Sequence, residues 1–230
     1  MDRLAIIPAR GGSKRLPRKN LADLGGRPVV SRVIHTALES ALFDRVVVST
    51  EDKEIGEVAA GAGAEVHWRD PSLATDQASV IEVCSDLLGG LREVPERFCC
   101  LYATAAFLAP GDLKDSEAFL AGADVVMGVS GYPIHPYKAL EESEHGFLRP
   151  KWPTENDKKS QYFPWFVASN GTFYWARTEP FLKEPTFFPN RLKGYELPPE
   201  RAVDIDTVED LQWARKLLAI QQGSPEGGGK

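Results

Sequence analysis

Short apolar runs that alternate with stretches of helical spacing constrain this chain more than any other feature. Leu4-Ala5-Ile6-Ile7 ends at Pro8 and is followed by a basic loop, then by Val29, Val30, Val33, Ile34, Ala37, Leu38 and Ala41 at helical spacing. Pro28 suits the first turn of that helix, where a missing N–H costs nothing. Arg45-Val46-Val47-Val48-Ser49 reads as a second strand, and Ile55, Val58, Ala59 and Ala62 as a short helix that stops at Gly63. The alternation continues with a strand at Glu65-Val66-His67-Trp68, a helix carrying Val80, Ile81, Cys84, Leu87, Leu88 and Leu91, a strand over 98–102, a helix over 113–121 and a strand over 124–129. Strands with so few polar positions, separated by helices, predict an α/β sandwich with a mainly parallel sheet covered on both faces.

From about 131 to 170 the pattern breaks. Pro133, Pro136, Pro150, Pro153 and Pro164 punctuate polar residues, with Trp152, Tyr162, Trp165 and Phe166 among them. A long irregular segment rich in aromatics fits either a dimerisation arm or a substrate lid. The sheet resumes at Gly171-Thr172-Phe173-Tyr174-Trp175-Ala176, and a last strand is expected over 201–205. A helix with Val208, Leu211, Trp213, Ala214, Leu217 and Leu218 follows it. The 230 residues suit one domain over 1–220 with the arm inserted, and then a flexible tail over 221–230.

Composition narrows the function classes. No apolar run approaches the length a bilayer demands, and Met1-Asp2-Arg3 leads into a strand without a signal-peptide core, so no membrane contact and a cytoplasmic location are expected. Cys84, Cys99 and Cys100 are an odd set, and His35, His67, His135 and His145 are scattered, which argues against disulfides and structural zinc. The formal charge is −6, yet Arg10, Lys14, Arg15, Arg18 and Lys19 crowd one stretch with no acid among them. An acidic chain with one basic loop suits a small polyanion and not a nucleic acid.

Two constellations carry chemistry. Pro8-Ala9-Arg10-Gly11-Gly12-Ser13-Lys14-Arg15-Leu16-Pro17-Arg18-Lys19-Asn20 follows the first strand, where ligands of parallel sheets bind. Its glycines let backbone N–H groups approach an anion and its cations match a triphosphate, although it is not a Walker A loop. A solvated surface loop is the bland alternative. In Asp204-Ile205-Asp206, an extended backbone points both carboxylates to one side, where they can hold a hard cation such as Mg²⁺. Capping of the next helix by Asp206 or Thr207 is the alternative and is compatible with metal binding.

The run from Ile6 to Asn20 closely resembles the nucleotide-binding signature of the cytidylyltransferases that activate sialic-acid-like nine-carbon sugars: the acylneuraminate, legionaminate and pseudaminate enzymes. Val48-Ser49-Thr50-Glu51-Asp52, Leu73-Ala74-Thr75-Asp76-Gln77-Ala78-Ser79, Asn170-Gly171 and Asp204-Ile205-Asp206-Thr207 extend the resemblance in order to about residue 218. It implies a nucleotide-diphospho-sugar-transferase-like three-layer sandwich, the substrates CTP and a nonulosonic acid, the cofactor Mg²⁺ and a homodimer. It further implies that Ala9, Arg10, Gly11, Ser13, Lys19, Asn20, Asp76 and Ser79 bind the nucleotide, with Arg10, Lys19, Asp204 and Asp206 catalytic and the two aspartates on metal. Tyr102, Lys138, Gln161 and Asn170 would face the sugar.

Tyr102-Ala103-Thr104-Ala105-Ala106-Phe107, Ser160-Gln161 and Phe173-Tyr174-Trp175 resemble the pseudaminate enzymes. Asn170-Gly171 and His135-Pro136-Tyr137-Lys138 resemble the acylneuraminate enzymes, but Ala168-Ser169 replaces an arginine expected before Asn-Gly. The implied reaction is attack of the sugar's anomeric hydroxyl on the α-phosphorus of CTP, with release of pyrophosphate. Two rivals remain at this point: a metal-dependent nucleotide-sugar glycosyltransferase and a noncatalytic nucleotide-binding protein.

Overall fold

The structure is a computed structural model that describes residues 1–223. A seven-stranded sheet runs in the order β3-β2-β1-β4-β8-β5-β9. Its strands are β1 (Arg3–Pro8), β2 (Arg45–Thr50), β3 (Glu65–Trp68), β4 (Arg97–Leu101), β5 (Val125–Gly131), β8 (Val167–Arg177) and β9 (Leu192–Glu196). All neighbours pair parallel except β8, which is antiparallel to both β4 and β5. The sheet is therefore mainly parallel, as the sequence predicts.

Pleating explains the two cores. Ala5 and Ile7 of β1 face one layer with Val30, Val33 and Ile34 of α1 (Val29–Glu39), while Leu4 and Ile6 face the other with Cys84, Leu87 and Leu88 of α3 (Val80–Gly89). Cys99 and Cys100 likewise divide between the two faces, and all three cysteines are buried and free. The remaining helices are α2 (Lys53–Gly61), α4 (Pro110–Glu117), α6 (Thr178–Lys183) and α7 (Val208–Gly223).

Three expectations need correction. Residues 201–205 form no strand; the chain there is irregular, and β9 takes the edge place beside β5. The segment still buries Val203 and Ile205, in a third cluster with Leu16, Leu24, Phe107 and Leu211. The helix expected over 113–121 is α4 followed by a tighter turn, Ala118–Gly122. The final helix continues through the start of the expected tail to Gly223, and residues 224–230 lie outside the described residues.

The excursion between β5 and β8 holds a separate hairpin of β6 (Leu140–Glu142) and β7 (Leu148–Pro150), and one helical turn, α5 (Pro153–Asn156). Inside it His135, Tyr137, Phe163 and Phe166 pack ring to ring, with His135 and Phe163 centroids 4.5 Å apart. Tyr162 and Trp165 remain 72% and 73% exposed.

Candidate functional site

The third cluster assembles the site. Leu16 lies in the middle of the basic loop and Ile205 between the two aspartates; burying both in one cluster brings the cations to the carboxylates across nearly 200 residues of chain. The loop is fixed locally as well. The Ala9 amide donates to Ser49 O at 2.9 Å and so extends the β1–β2 ladder, and Asn20 Nδ2 donates to Arg10 O at 2.9 Å, closing the loop. Arg18 takes a left-handed backbone, φ 58°, from which the short turn Lys19–Leu21 starts.

A cleft of about 240 Å³ opens at the carboxyl end of β1. Pro8, Arg10, Lys19, Asn20, Asp76 and Tyr102 line it together with Arg69 and Thr104. Lys19 joins the cleft to the carboxylate pair through Nζ, 2.6 Å from Asp206 Oδ1.

Every cation of the loop is paired. Arg10 and Lys14 reach Asp76 at 2.8 and 2.5 Å, Lys19 and Arg15 hold Asp206, and Arg18 holds Asp52 and Glu54. The sequence suggests open charges awaiting an anion, whereas the structure shows them balanced by neighbours. Lys14 is 84% exposed and Asp76 40%, so these ion pairs contribute little and yield readily to a polyphosphate. Lys14 and then Arg10 hold the Asp76 carboxyl below the usual carboxylate range.

The two aspartates differ. Crowding by protein, and next the negative charge of Asp206, push the Asp204 carboxyl up, although its surface stays open to water; the Thr104 side chain and Lys19 oppose this. Burial also pushes Asp206 up, but Lys19 and Arg15 more than offset it and leave that carboxyl below the usual range. With Ile205 wholly buried between them, they form an oxygen-only pair of the kind that suits a hard divalent cation completed by phosphate oxygens and water. Among the described residues no group of three or more His, Cys, Asp or Glu side chains is arranged to hold a metal ion by itself. Of the two residues the sequence offered as the helix cap, Thr207 takes the role: its Oγ1 accepts the Asp210 amide at 3.2 Å, and Asp210 Oδ2 in return accepts the amides of Asp206 and Thr207. Asp206 is thus not used as the cap.

Several expected site residues stand elsewhere. Ser79 caps α3 in a reciprocal arrangement with Glu82 and does not line the cleft, though its neighbours Ala78 and Val80 do. Ala9 is buried beneath the loop, and Ser13 is half-buried outside the cleft lining. Lys138 donates to the Asn156 carbonyl and lies over the Phe163 ring, holding the excursion together. Gln161 is exposed on that excursion. Asn170 Oδ1 accepts the Thr172 amide and hydroxyl, at 3.3 and 2.6 Å, where Gly171, φ 67°, and a register shift against β5 interrupt β8. None of Lys138, Gln161 and Asn170 lines the cleft.

Sequence reasoning missed Arg69, which is 7% exposed in the cleft wall. Its Nη1 donates to Leu73 O at 3.3 Å, its Nε faces Glu51 Oε2 at 3.4 Å, and the Nη2 donors have no hydrogen-bond acceptor; Asn20 Oδ1, also buried, has no donor. Burial pushes the Arg69 guanidinium below its usual value, with the nearby Arg10 charge acting in the same direction and Glu51 against it. Buried polar groups are nearly always satisfied, so donors and an acceptor left open in one cleft are suited to a polar ligand. The one available signal was the position of Arg69 directly after the strand 65–68.

A sequence profile described as Cytidylyltransferase matches residues 4–221. The chain is 35% identical over 232 residues to the pseudaminic acid cytidylyltransferase of Campylobacter jejuni, spanning 97% of this chain and 99% of that one. It is 31% identical to the CMP-N,N'-diacetyllegionaminic acid synthase of Legionella pneumophila, over 95% and 97% of the two chains. Against the N-acylneuraminate cytidylyltransferase of Streptococcus agalactiae the identity is 31%, over 92% of this chain but 52% of that longer protein. Among solved structures, the fold matches CMP:2-keto-3-deoxy-manno-octonic acid synthetase complexed with CTP, with TM-score 0.72 and 17% identity over 96% of this chain and all of that one.

Proposed function

The chain belongs to the cytidylyltransferase family, and we propose that it transfers CMP from CTP to the anomeric hydroxyl of a nonulosonic acid of the pseudaminic type, releasing pyrophosphate. The observation that carries this reading is the cleft at the end of β1, lined by Arg10, Lys19 and Asn20, with Lys19 linking it to the carboxylate pair through Asp206.

In this reading the sugar hydroxyl attacks the α-phosphorus and no protein nucleophile is needed. Arg10 and Lys19 exchange their carboxylate partners for phosphate oxygens and neutralise the leaving pyrophosphate. Asn20 Oδ1 and the free Arg69 donors meet the polar edges of the nucleoside, and Tyr102 closes the cleft toward the sugar. Asp204 and Asp206 would hold Mg²⁺, which supplies charge neutralisation at the α-phosphate. The remaining rate enhancement comes from holding the two substrates in line.

The pseudaminic assignment draws on the 35% relative and on the segment from Tyr102 to Phe107. The features pointing to acylneuraminate lose their weight, because Asn170 and Gly171 shape an irregularity in β8 and Lys138 braces the excursion. Pyrophosphate release should be measured with CTP and Mg²⁺ against pseudaminic, legionaminic, N-acetylneuraminic and octulosonic acids. Fastest turnover with pseudaminic acid is expected. Preference for another acid rejects the sugar assignment, and release with none of them rejects the reaction.

The excursion, residues 132–166 between β5 and β8, supports a homodimer in the same reading, since Ile134, Phe147, Tyr162 and Trp165 are each 70% or more exposed and bulky apolar surface of this extent favours a partner over a monomeric lid. Sedimentation should give twice the 25.3 kDa chain mass at micromolar concentration; a monomer there would favour the lid.

A further inference from the structure

Glu51 follows the last residue of β2 and precedes Asp52, whose side chain caps α2 by accepting the Ile55 amide at 3.0 Å. Its backbone therefore sits on one of the firmest points of the fold. Its side chain does not line the cleft, yet it touches two structures that do. Oε1 accepts the Gly11 amide at 2.7 Å, and Oε2 lies 3.4 Å from Arg69 Nε. The Arg69 amide donates to Thr50 O at 3.1 Å, so the backbone of Arg69 is pinned to the same strand end.

The Gly11 contact is unexpected for a glycine loop. An amide in such a position is free to face an anion, but here it is given to a carboxylate. The glycine is still required, because a Cβ at residue 11 would collide with the Asp52 carboxylate. The loop thus lies as close to the end of β2 as a backbone can, and Glu51 holds it there. On its other side Glu51 faces the guanidinium without saturating it, leaving Nη2 unused.

We propose that Glu51 is a positioning residue for the nucleotide: its two carboxylate oxygens tie the Gly11 amide of the phosphate-facing loop to Arg69 of the cleft wall and so set the spacing between the two ends of the site. This rests on the cytidine triphosphate reading given above. A ligand that spans both ends feels the spacing, whereas one that needs only the loop does not.

Electrostatics alone gives the opposite sign. Removing an acid beside a triphosphate site, and freeing an amide there, should tighten anion binding. Lost positioning should weaken it. Calorimetry would compare the affinities of CTP, tripolyphosphate and cytidine in the parent protein, in E51A and in the isosteric E51Q, with unfolding midpoints recorded alongside. The expected result is CTP weakened about tenfold or more in E51A and at least about threefold in E51Q, with tripolyphosphate unchanged or tighter and cytidine within about threefold. CTP binding that is equal or tighter in both variants overturns the proposal. So does an equal loss for all three ligands with a lowered midpoint, which would make Glu51 a fold residue only. A folded parent that binds tripolyphosphate but not CTP overturns the nucleotide reading itself, and the proposal with it. If E51A does not fold, E51Q decides alone.

Discussion

Asp204→Asn should lower kcat for CTP-dependent pyrophosphate release by about 10²-fold or more, while the protein unfolds at the same temperature as the parent or higher. The neighbouring Asp206→Asn should lose activity similarly but unfold earlier. The opposite stability signs follow from the surroundings. In the folded chain Asp204 titrates above the usual carboxylate range because of crowding and the adjacent Asp206 charge. At neutral pH its ionised form therefore opposes folding, and a neutral amide relieves that cost. Asp206 titrates below the usual range because Lys19 and Arg15 overcome its burial. Its charge stabilises the fold above the ordinary carboxylate pKa, a contribution lost as pH falls through the lowered value, and Asn removes it at every pH. Shared loss of activity with divergent stability would locate the defect at the carboxylate pair and not in general damage. Mn²⁺ affinity, read from its spin-resonance signal in the presence of CTP, should fall in both variants. Turnover within about fivefold of the parent in either one would reject the metal assignment.

How far the sequence reached depended on the kind of interaction. The strand, basic loop and helix at the start were legible, because apolar spacing reports burial directly: Leu4, Ala5, Ile6 and Ile7 are all fully buried. Residues 201–205 misled for the same reason. Val203 and Ile205 alternate as a strand would, but burial against α7 and Leu16 produces that alternation without a ladder. The true edge strand, Leu192–Glu196, was hidden because it has a neighbour on one side only and exposes Lys193 and Glu196, charges of the kind that keep edges from pairing with other chains. Strand direction was illegible too: nothing in the residues of β8 marks it as antiparallel to β4 and β5, and its direction is set by the return path through the excursion. At the site, the loop and the aspartates were legible as charge and spacing. Which residues those charges meet was not, since the Arg10–Asp76 and Lys19–Asp206 contacts join segments far apart in sequence.

Arg69→Met made in a Glu51→Gln background should act on folding and on binding with opposite signs, holding or raising the unfolding midpoint relative to E51Q while weakening CTP by a further factor of about ten to a hundred. The guanidinium is nearly shut off from water, has one 3.3 Å bond to Leu73 O, faces Glu51 Oε2 at 3.4 Å through Nε, and keeps the Nη2 donors without acceptors. Its pKa is pushed down by burial, which means that folding disfavours the charged form at any pH where the unfolded chain carries the proton. An apolar side chain of similar length avoids that penalty, and replacing both members of a buried ion pair by neutral groups is often neutral or stabilising, whereas removing one member alone is strongly destabilising. The Glu51→Gln background is needed because Glu51 Oε2 is buried and faces Arg69, so that removing the guanidinium alone would strand the carboxylate. The unused donors have value only when the cleft is filled, where an acceptor on the nucleoside can complete them. Stability is thus sacrificed for binding at this position, as expected of a binding group and not of a structural one. Arg69→Lys should also lose most of the affinity, since an ammonium restores the charge without the two-pronged fork. A methionine variant that binds CTP as well as E51Q and melts several degrees earlier than E51Q would show instead that the guanidinium serves the fold.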